Sequence, residues 1–224
     1  MCGRYAIVLA DDGTLQRRFS LEELLDNPAP RFNVAPTQTL PVIVRNTPDR
    51  VAMMRWGLIP FWAKDASIGS KMINARAETV AEKPAFRRPL RSQRCLVPAS
   101  GFFEWKREGD SKTPHFIHLP GEPIFAFAGL YDTWRDPEGQ TVQSYTILTT
   151  EPNDLMADIH NRMPVILRRE DEDDWLDPAN TEPEHLLPLL RPYPASEMAA
   201  YPVSRMVNSP RNDAPDLLLR AVGG

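Results

Sequence analysis

Short apolar runs separated by turn-forming residues make up most of this chain. Several of them alternate apolar and polar positions, and they are rich in β-branched and aromatic residues. Runs of this kind predict strands. The predicted strands cover residues 4–9, 40–44, 51–58, 94–98, 101–106, 124–131 and 142–149.

Apolar residues at helical spacing are rarer and lie between the predicted strands. The clearest helical pattern covers residues 14–25, with Leu15, Phe19 and Leu24 as apolar positions; others cover 152–159, 170–176 and 184–190. The 23 prolines among 224 residues are about twice the usual share of roughly 5%, so long helices are scarce. We expect an α+β fold: a β-rich single domain over residues 1–224, with a mostly antiparallel, barrel-like sheet core and a few short peripheral helices. A proline-rich segment from about residue 191 is expected to wrap the surface.

Composition excludes several classes of protein. Hydrophobic residues make up 42% and charged residues 25% of the chain, as in ordinary globular proteins. Neither a membrane-spanning apolar stretch nor a secretion signal is present, which predicts a cytoplasmic protein without a membrane partner. Cys2 and Cys95 are too few and too far apart for a disulfide framework or a paired-cysteine zinc site. Cys95 is expected to be buried in a strand, and no motif for a cofactor or a metal is found.

Charge is distributed unevenly along the chain. Residues 45–112 contain fourteen Lys or Arg and seven Asp or Glu, whereas residues 151–190 contain three basic and eleven acidic residues. The basic part of the surface could attract phosphates, with Arg87, Arg88, Arg91 and Arg94 widening it. The alternative is that both parts are ordinary solvated faces.

The second residue carries the most distinctive chemistry. Once Met1 is removed, Cys2 carries a thiol and an α-amine on adjacent carbons, which is a 1,2-aminothiol. An α-amine has a pKa near 7.7–8.0, so more of it is unprotonated at neutral pH than of any lysine. Such an amine forms an imine with an aldehyde, and the thiol then closes a thiazolidine ring. The alternative is that Cys2 is a small, partly buried packing residue.

Two further residues are candidates for proton transfer. His160 lies in a turn that follows a predicted helix, where it can move protons; alternatively, it is a histidine that the helix dipole stabilises. Glu104 lies among aromatic residues in a predicted strand, where desolvation raises the pKa of a carboxyl group. Its alternative is a strand-edge carboxylate in water. His115 and His118 are three positions apart in an extended stretch and point to opposite faces, which disfavours a shared metal.

Binding residues are predicted around these groups. Asn74 and Arg76 are two positions apart in an extended segment, so both side chains point to one face and could hold a phosphate and a sugar oxygen. Pro36, Phe61 and Trp62 lie in loop-like sequence and could stack on nucleobases or unstack them; the alternative is that they pack in the core. Trp56 is expected to pack in the core.

In order and spacing, residues 1–4, 33–36, 56–60, 73–79, 94–105 and 160–164 resemble the SOS response-associated peptidase family, over roughly residues 1–210. The resemblance implies a sensor of abasic sites in single-stranded DNA that shields the lesion, in the DNA damage response, through a covalent DNA-protein crosslink. It makes Cys2 the crosslinking residue after Met1 is cleaved, a step that the protein itself could perform. It makes Asn74, Glu104 and His160 active-site residues, and Arg4, Arg76 and Arg162 phosphate-binding residues. Pro36, Phe61 and Trp62 match the residues that separate the flanking bases, although Phe61 replaces a tryptophan of some relatives.

We further expect a bacterial protein that acts as a monomer in the cytoplasm, gathers on damaged DNA and needs no metal or cofactor. Two other functions stay open on the residues alone. One is a thiol peptidase or amidohydrolase whose N-terminal Cys2 attacks peptide carbonyls. The other is a non-covalent reader of modified bases.

Overall fold

The computed structural model describes residues 2–11, 13–21, 28–45 and 50–221. Thirteen strands and five α-helices lie in these ranges. The strands are β1 (Tyr5–Ile7), β2 (Arg31–Val34), β3 (Thr39–Val44), β4 (Arg50–Trp56), β5 (Asn74–Arg76), β6 (Arg94–Ala99), β7 (Gly101–Glu108), β8 (Ser111–His118), β9 (Phe125–Arg135), β10 (Thr141–Thr150), β11 (Met163–Pro164), β12 (Ile166–Leu167) and β13 (Ala199–Pro202).

Five long strands close into a ring. Their order is β10-β4-β3-β6-β9, and the pairing of β9 with β10 completes the circle. Every pairing in the ring is antiparallel except that of β10 with β4. Residues on alternate positions point into the ring, so apolar strands such as β6 and β9 fill its interior. The expected α+β fold with a mostly antiparallel, barrel-like core is confirmed.

A second sheet, in the order β13-β8-β7-β1-β2, is antiparallel throughout. The chain passes from the ring to this sheet at Ser100, between β6 and β7. The hydroxyl of Ser100 accepts a hydrogen bond from the Val8 backbone N–H at 2.9 Å, which fixes the crossing point. Gly101 is required there, because a Cβ atom would come within 2.2 Å of the Phe116 ring.

The helices are short and peripheral. They are α1 (Thr14–Phe19), α2 (Arg87–Ser92), α3 (Asp154–Ala157), α4 (Arg169–Leu176) and α5 (Pro183–Leu186). Short 3-10 helices cover Ala66–Lys71, Ala77–Thr79, Leu187–Leu189, Ala195–Glu197, Arg205–Asn208 and Pro215–Leu218. In the described part of the chain, no helix has the length and apolar character to cross a membrane.

The predicted helix over residues 14–25 is too long. Helix α1 ends at Phe19, because Ser20 takes the left-handed conformation (φ 51°) and its N–H bonds to the Gln16 carbonyl. Residues 22–25, which include the predicted apolar position Leu24, lie outside the described residues. Helix α2, just before β6, was not predicted, because prolines flank and interrupt its sequence.

The main core contains the aromatic residues that join the two sheets. Trp56 is fully buried, as expected, and stacks on Tyr145 with ring centroids 6.4 Å apart. The hydroxyl oxygens of Tyr5 and Tyr145 lie 2.8 Å apart and share a hydrogen bond. Cys95 is buried in β6, also as expected.

Candidate functional site

Glu104 lies in β7 and is only 2% exposed. Burial raises the pKa of its carboxyl group, while the charge of His160 acts in the opposite direction. A buried carboxyl group whose pKa is raised can act as a general acid as well as a general base. The desolvation predicted from the aromatic sequence context is confirmed, and the alternative of a water-exposed carboxylate is wrong.

His160 lies just after α3, where its backbone N–H bonds to the Met156 carbonyl at 2.7 Å. Its Nε2 lies 3.9 Å from Oε2 of Glu104. Its Nδ1 lies 3.1 Å from the backbone N–H of Arg162 and 3.2 Å from the Arg162 carbonyl oxygen. The neutral ring can therefore accept at Nδ1 and the protonated ring can donate there, so both forms have a partner. This arrangement suits a group that gains and loses a proton.

Cys2 is fully buried. Its thiol lies 3.9 Å from the Arg4 carbonyl oxygen, to which it donates. Burial, and secondly the negative charge of Glu104, raise the pKa of this thiol well above its ordinary value. The sulfur is therefore held as a thiol and must transfer its proton as it reacts. A partly buried cysteine was one of the two sequence-based alternatives, and the structure buries it completely beside an acidic group.

Asn74 and Arg76 lie in β5, which pairs in parallel with β10. The strand is extended as predicted, so the two side chains share a face. The Asn74 amide nitrogen donates to the Ile73 carbonyl at 2.9 Å, whereas its buried Oδ1 has no hydrogen-bond partner among the described residues. Arg76 is exposed.

Arg162 is engaged with other residues of the chain. Its two terminal nitrogens bond to the Glu78 carboxylate at 2.6 and 2.9 Å, and one of them also bonds to the Thr149 carbonyl at 2.7 Å. This ion pair lowers the pKa of Glu78. Thr149, near the end of β10, is the register partner of Arg76 in β5. Arg76 and Arg162 therefore both lie next to Thr149.

Arg4 is held by the C-terminal part of the chain. Its guanidinium donates to Asn33 Oδ1 at 2.8 Å, to the Val207 carbonyl at 2.7 Å and to the Asn208 carbonyl at 3.2 Å. Asn33, which is fully buried, donates in turn to three carbonyls of the same segment. In this structure Arg4 therefore tethers the start of the chain to residues 207 and 208, and its contact with a phosphate stays a prediction.

The three predicted base-separating residues occupy two places. Pro36 is half-buried in the turn between β2 and β3. Phe61 and Trp62 follow β4 and are 52% and 48% exposed. The Arg88 guanidinium lies 4.5 Å from the centre of the Phe61 ring. Exposed aromatic rings beside a cation can stack on bases.

One of the four arginines that were predicted to widen the basic surface does not lie on the surface. Arg94 is 5% exposed and donates to the carbonyls of Leu90, Trp175 and Asp177. It therefore stabilises the packing of α4 on β6 and cannot widen a basic surface. Arg87, Arg88 and Arg91 are largely outside the core.

The structure brings Cys2, Glu104 and His160 together and places Arg162 against His160. Glu78 and Thr149, which had no predicted role, complete this group through Arg162. Glu78 is only two positions from Arg76, and that spacing was its only sequence signal. Thr149 had none, because only the pairing of β10 with β5 brings it there. No group of at least three His, Cys, Asp or Glu residues in the described ranges could hold a metal ion.

Comparisons with known proteins identify the family of this chain. A family model described as SOS response associated peptidase (SRAP) matches residues 1–210. The chain is 50% identical over 222 residues to abasic site processing protein YoqW of Bacillus subtilis, with 97% of this chain and 99% of that protein covered. It is 34% identical over 223 residues to abasic site processing protein HMCES of Gallus gallus, with 85% and 66% covered. A crystal structure of a Bacteroides thetaiotaomicron protein superposes with a TM-score of 0.88 at 33% identity, over 99% of this chain and all of that one.

Proposed function

Since the chain belongs to the SOS response associated peptidase family, we propose that it processes abasic sites in single-stranded DNA by forming a covalent crosslink through Cys2. The observation that carries the proposal is the burial of the Cys2 thiol beside Glu104, whose carboxyl in turn faces His160 at 3.9 Å. The names of the relatives YoqW and HMCES support the substrate class.

The reaction starts from the closed sugar of an abasic site. His160 donates a proton to the ring oxygen as the bond from C1 to that oxygen breaks, and Glu104 accepts the proton of the C1 hydroxyl, which exposes the aldehyde. The Cys2 amine, unblocked by removal of Met1, attacks the carbonyl carbon and forms a carbinolamine. Glu104 protonates the leaving hydroxyl, so that one water departs and an imine remains.

Ring closure makes the product stable. The Cys2 sulfur adds to the imine carbon while its proton passes through Glu104 to the nitrogen, which gives a thiazolidine with no further loss of atoms. Because the thiol is buried beside its proton acceptor, the thiolate forms only as the bond is made. The crosslink removes the aldehyde that allows β-elimination, so the strand is protected from breakage.

Other residues would hold the DNA. Asn74 would orient the sugar, Arg76 and Arg162 would contact phosphates, and Trp62 and Phe61 would stack on flanking bases. Pro36 would help to separate the flanking bases, whereas Arg4 would hold the start of the chain against residues 207 and 208. The proposal includes removal of Met1 by the protein itself, and a monomer that works in the bacterial cytoplasm.

A crosslinking assay tests the proposal. Mature protein is incubated with an oligonucleotide that contains one abasic site, and the products are separated under denaturing conditions. We expect a heat-stable adduct whose mass equals protein plus DNA minus one water. Cys2→Ala should abolish this adduct, whereas Cys95→Ala, which replaces the other buried cysteine, should retain it.

Several results would decide against the proposal. An adduct that maps to a lysine, or that persists in Cys2→Ala without reduction, contradicts thiazolidine chemistry. Turnover of an added peptide without any adduct supports an N-terminal thiol peptidase. Equal lesion binding by Cys2→Ala with no covalent product from either protein supports a non-covalent reader.

A further inference from the structure

The start of the chain lies ahead of the first strand. Strand β1 begins at Tyr5, and Cys2 becomes the first residue once Met1 is removed. A chain end of this kind frays unless contacts from elsewhere in the fold hold it. Because the proposed reaction needs the amine and the thiol of Cys2 at a fixed distance from Glu104, fraying would lower its rate.

The backbone of Arg4 lies between Cys2 and the strand that carries Glu104. The Arg4 carbonyl oxygen accepts a hydrogen bond from the Phe103 backbone N–H at 2.9 Å, and the Cys2 thiol lies 3.9 Å from the same oxygen. Phe103 immediately precedes Glu104 in β7. A displacement of Arg4 would therefore move the thiol relative to the carboxyl group.

The side chain of Arg4 is held by residues 205–213, a segment near the other end of the chain that we call the strap. The Arg4 guanidinium donates to the carbonyls of Val207 and Asn208 at 2.7 and 3.2 Å. The strap also contacts β7, because Nε1 of Trp105 donates to Oδ1 of Asn208 at 2.8 Å. The strap is thus bonded to the chain start and to the strand of Glu104.

Asn33 connects Arg4 with the rest of the strap. Its Oδ1 accepts a hydrogen bond from Arg4 at 2.8 Å, and its side chain is fully buried in β2. Its amide nitrogen donates to the carbonyls of Val207, Ser209 and Asn212 at 3.2, 3.0 and 2.8 Å. A buried amide that both donates and accepts in this way fixes the relative orientation of the groups that it bonds.

Asp213 fastens the end of the strap to β2. Its Oδ1 accepts hydrogen bonds from the backbone N–H groups of Phe32 and Asn33 at 2.6 and 3.0 Å, and its Oδ2 forms an ion pair with Arg31. Strand β2 lies at the edge of its sheet, so a carboxylate can take the place of a neighbouring strand there. The Asp213 contacts therefore hold the strap in register with Asn33.

We propose that Asn33 and Asp213 are positioning residues for Cys2, which act on it through the strap and Arg4. The proposal rests on the proposed function, because the geometry that they hold is that of the Cys2 amine and thiol against Glu104. Arg4 and Asn208 are 204 positions apart, so the folded C-terminal segment controls the reactivity of the first residue.

Substitutions at Asp213 test the proposal in mature protein, because this side chain is 25% exposed and lies outside the core. Asp213→Ala removes its three contacts, whereas Asp213→Asn keeps an acceptor oxygen for the two backbone N–H groups. Asn33→Ala breaks the same network at its buried centre. Asp216→Ala, which removes an exposed carboxylate just beyond the strap, is the control. Thermal unfolding establishes that each variant is folded.

The first measurement is the crosslinking rate as a function of the concentration of an abasic oligonucleotide. We expect Asp213→Ala to lower the rate at saturation about tenfold and to leave the half-saturating concentration within twofold of wild type. A displaced Cys2 slows the reaction and leaves the DNA contacts in place. Asp213→Asn should recover most of the rate, and Asp216→Ala should keep it.

The second measurement needs no DNA. 2-Cyanobenzothiazole condenses with the amine and the thiol of an N-terminal cysteine and releases ammonia, and Cys95 lacks the adjacent amine. Because Cys2 is fully buried, the probe reaches it only when the chain start opens. We expect Asp213→Ala and Asn33→Ala to react about tenfold faster than wild type, since local opening becomes more frequent. Mass spectrometry follows the product, and Asp216→Ala should match wild type.

The outcomes separate the two proposals. If wild type forms the crosslink and folded Asp213→Ala forms it at the same saturated rate, the positioning proposal is overturned. A change in the half-saturating concentration alone, or an unchanged probe rate in both Asp213→Ala and Asn33→Ala, overturns it as well. If wild type forms no crosslink, the proposed function fails, and a faster probe reaction of Asp213→Ala still supports the holding of Cys2 by the strap.

Discussion

Oε2 of Glu104, in β7, lies 3.9 Å from Nε2 of His160, which follows α3. Burial raises the pKa of the carboxyl, and the partially exposed imidazole gives it a route for protons. A pair with these properties can exchange a proton without leaving a charge isolated in the core.

Glu104→Gln removes proton transfer and keeps the shape of the side chain. We expect the crosslinking rate to fall by about 10²–10⁴-fold, the usual contribution of a general acid-base. Glu108→Gln, on the exposed end of the same strand, is the control and should keep the rate. A rate within twofold of wild type for Glu104→Gln would exclude Glu104 from proton transfer.

The same substitution should change how stability depends on pH. The folded-state pKa of Glu104 is raised above its ordinary value of 4.5. Between that value and the folded pKa, the folded chain binds more protons than the unfolded chain, so the free energy of unfolding falls as pH rises. Glu104→Gln lacks this fall and should gain stability relative to wild type as pH increases. Denaturant unfolding from pH 4 to pH 8 measures the free energy of unfolding of both proteins. If the difference between Glu104→Gln and wild type does not change with pH, the prediction is wrong.

Glu78 should act through Arg162. Its carboxylate holds the guanidinium with two hydrogen bonds, and the Arg162 backbone contacts Nδ1 of His160. We expect Glu78→Gln to lower the crosslinking rate about tenfold and to alter its pH profile, with partial recovery in Glu78→Asp. Glu82→Gln, an exposed neighbour outside this network, is the control. If Glu78→Gln changes only thermal stability, Glu78 does not position His160.

Arg4 and Arg76 should differ in their response to salt. Arg76 is exposed, whereas Arg4 donates to three acceptors within the chain. Arg76→Ala should reduce the salt slope of DNA binding by about one, the value for one lost phosphate contact. Arg4→Ala should leave the slope unchanged and lower the free energy of unfolding by about 1–3 kcal/mol, because the acceptors lose their donor. A reduced slope for Arg4→Ala would show that Arg4 contacts a phosphate.

Arg18 of α1 and Glu172 of α4 form a buried ion pair that should affect stability alone. The two terminal nitrogens of Arg18 lie 2.6 and 2.9 Å from the two carboxylate oxygens of Glu172. The side chains of Arg18 and Glu172 are only 9% and 10% exposed. Arg18→Met should lower the free energy of unfolding by about 3–5 kcal/mol, because it leaves a buried carboxylate unpaired. Arg18→Met with Glu172→Leu should recover most of this loss, while crosslinking by folded protein is unchanged throughout. Additive losses in the double variant would contradict the pairing.

Local sequence was sufficient for features that depend on nearest neighbours. The alternation of apolar positions predicted most long strands, the buried Trp56 and Cys95, and the extended segment that carries Asn74 and Arg76. The aromatic neighbours of Glu104 predicted its desolvation. These properties follow from side-chain size and polarity within a few residues, so no knowledge of the fold is needed.

Tertiary structure decided which partner each charged group meets. Arg94, Arg162 and Arg4 look alike in the sequence, yet one is buried against α4, one is paired with Glu78 and one is tied to residues 207 and 208. Their partners lie up to 204 positions away, and strand pairing alone brings them within reach. An arginine has the same charge in every context; hydrogen-bond geometry and exclusion of water determine whether that charge stabilises the fold or stays available for DNA.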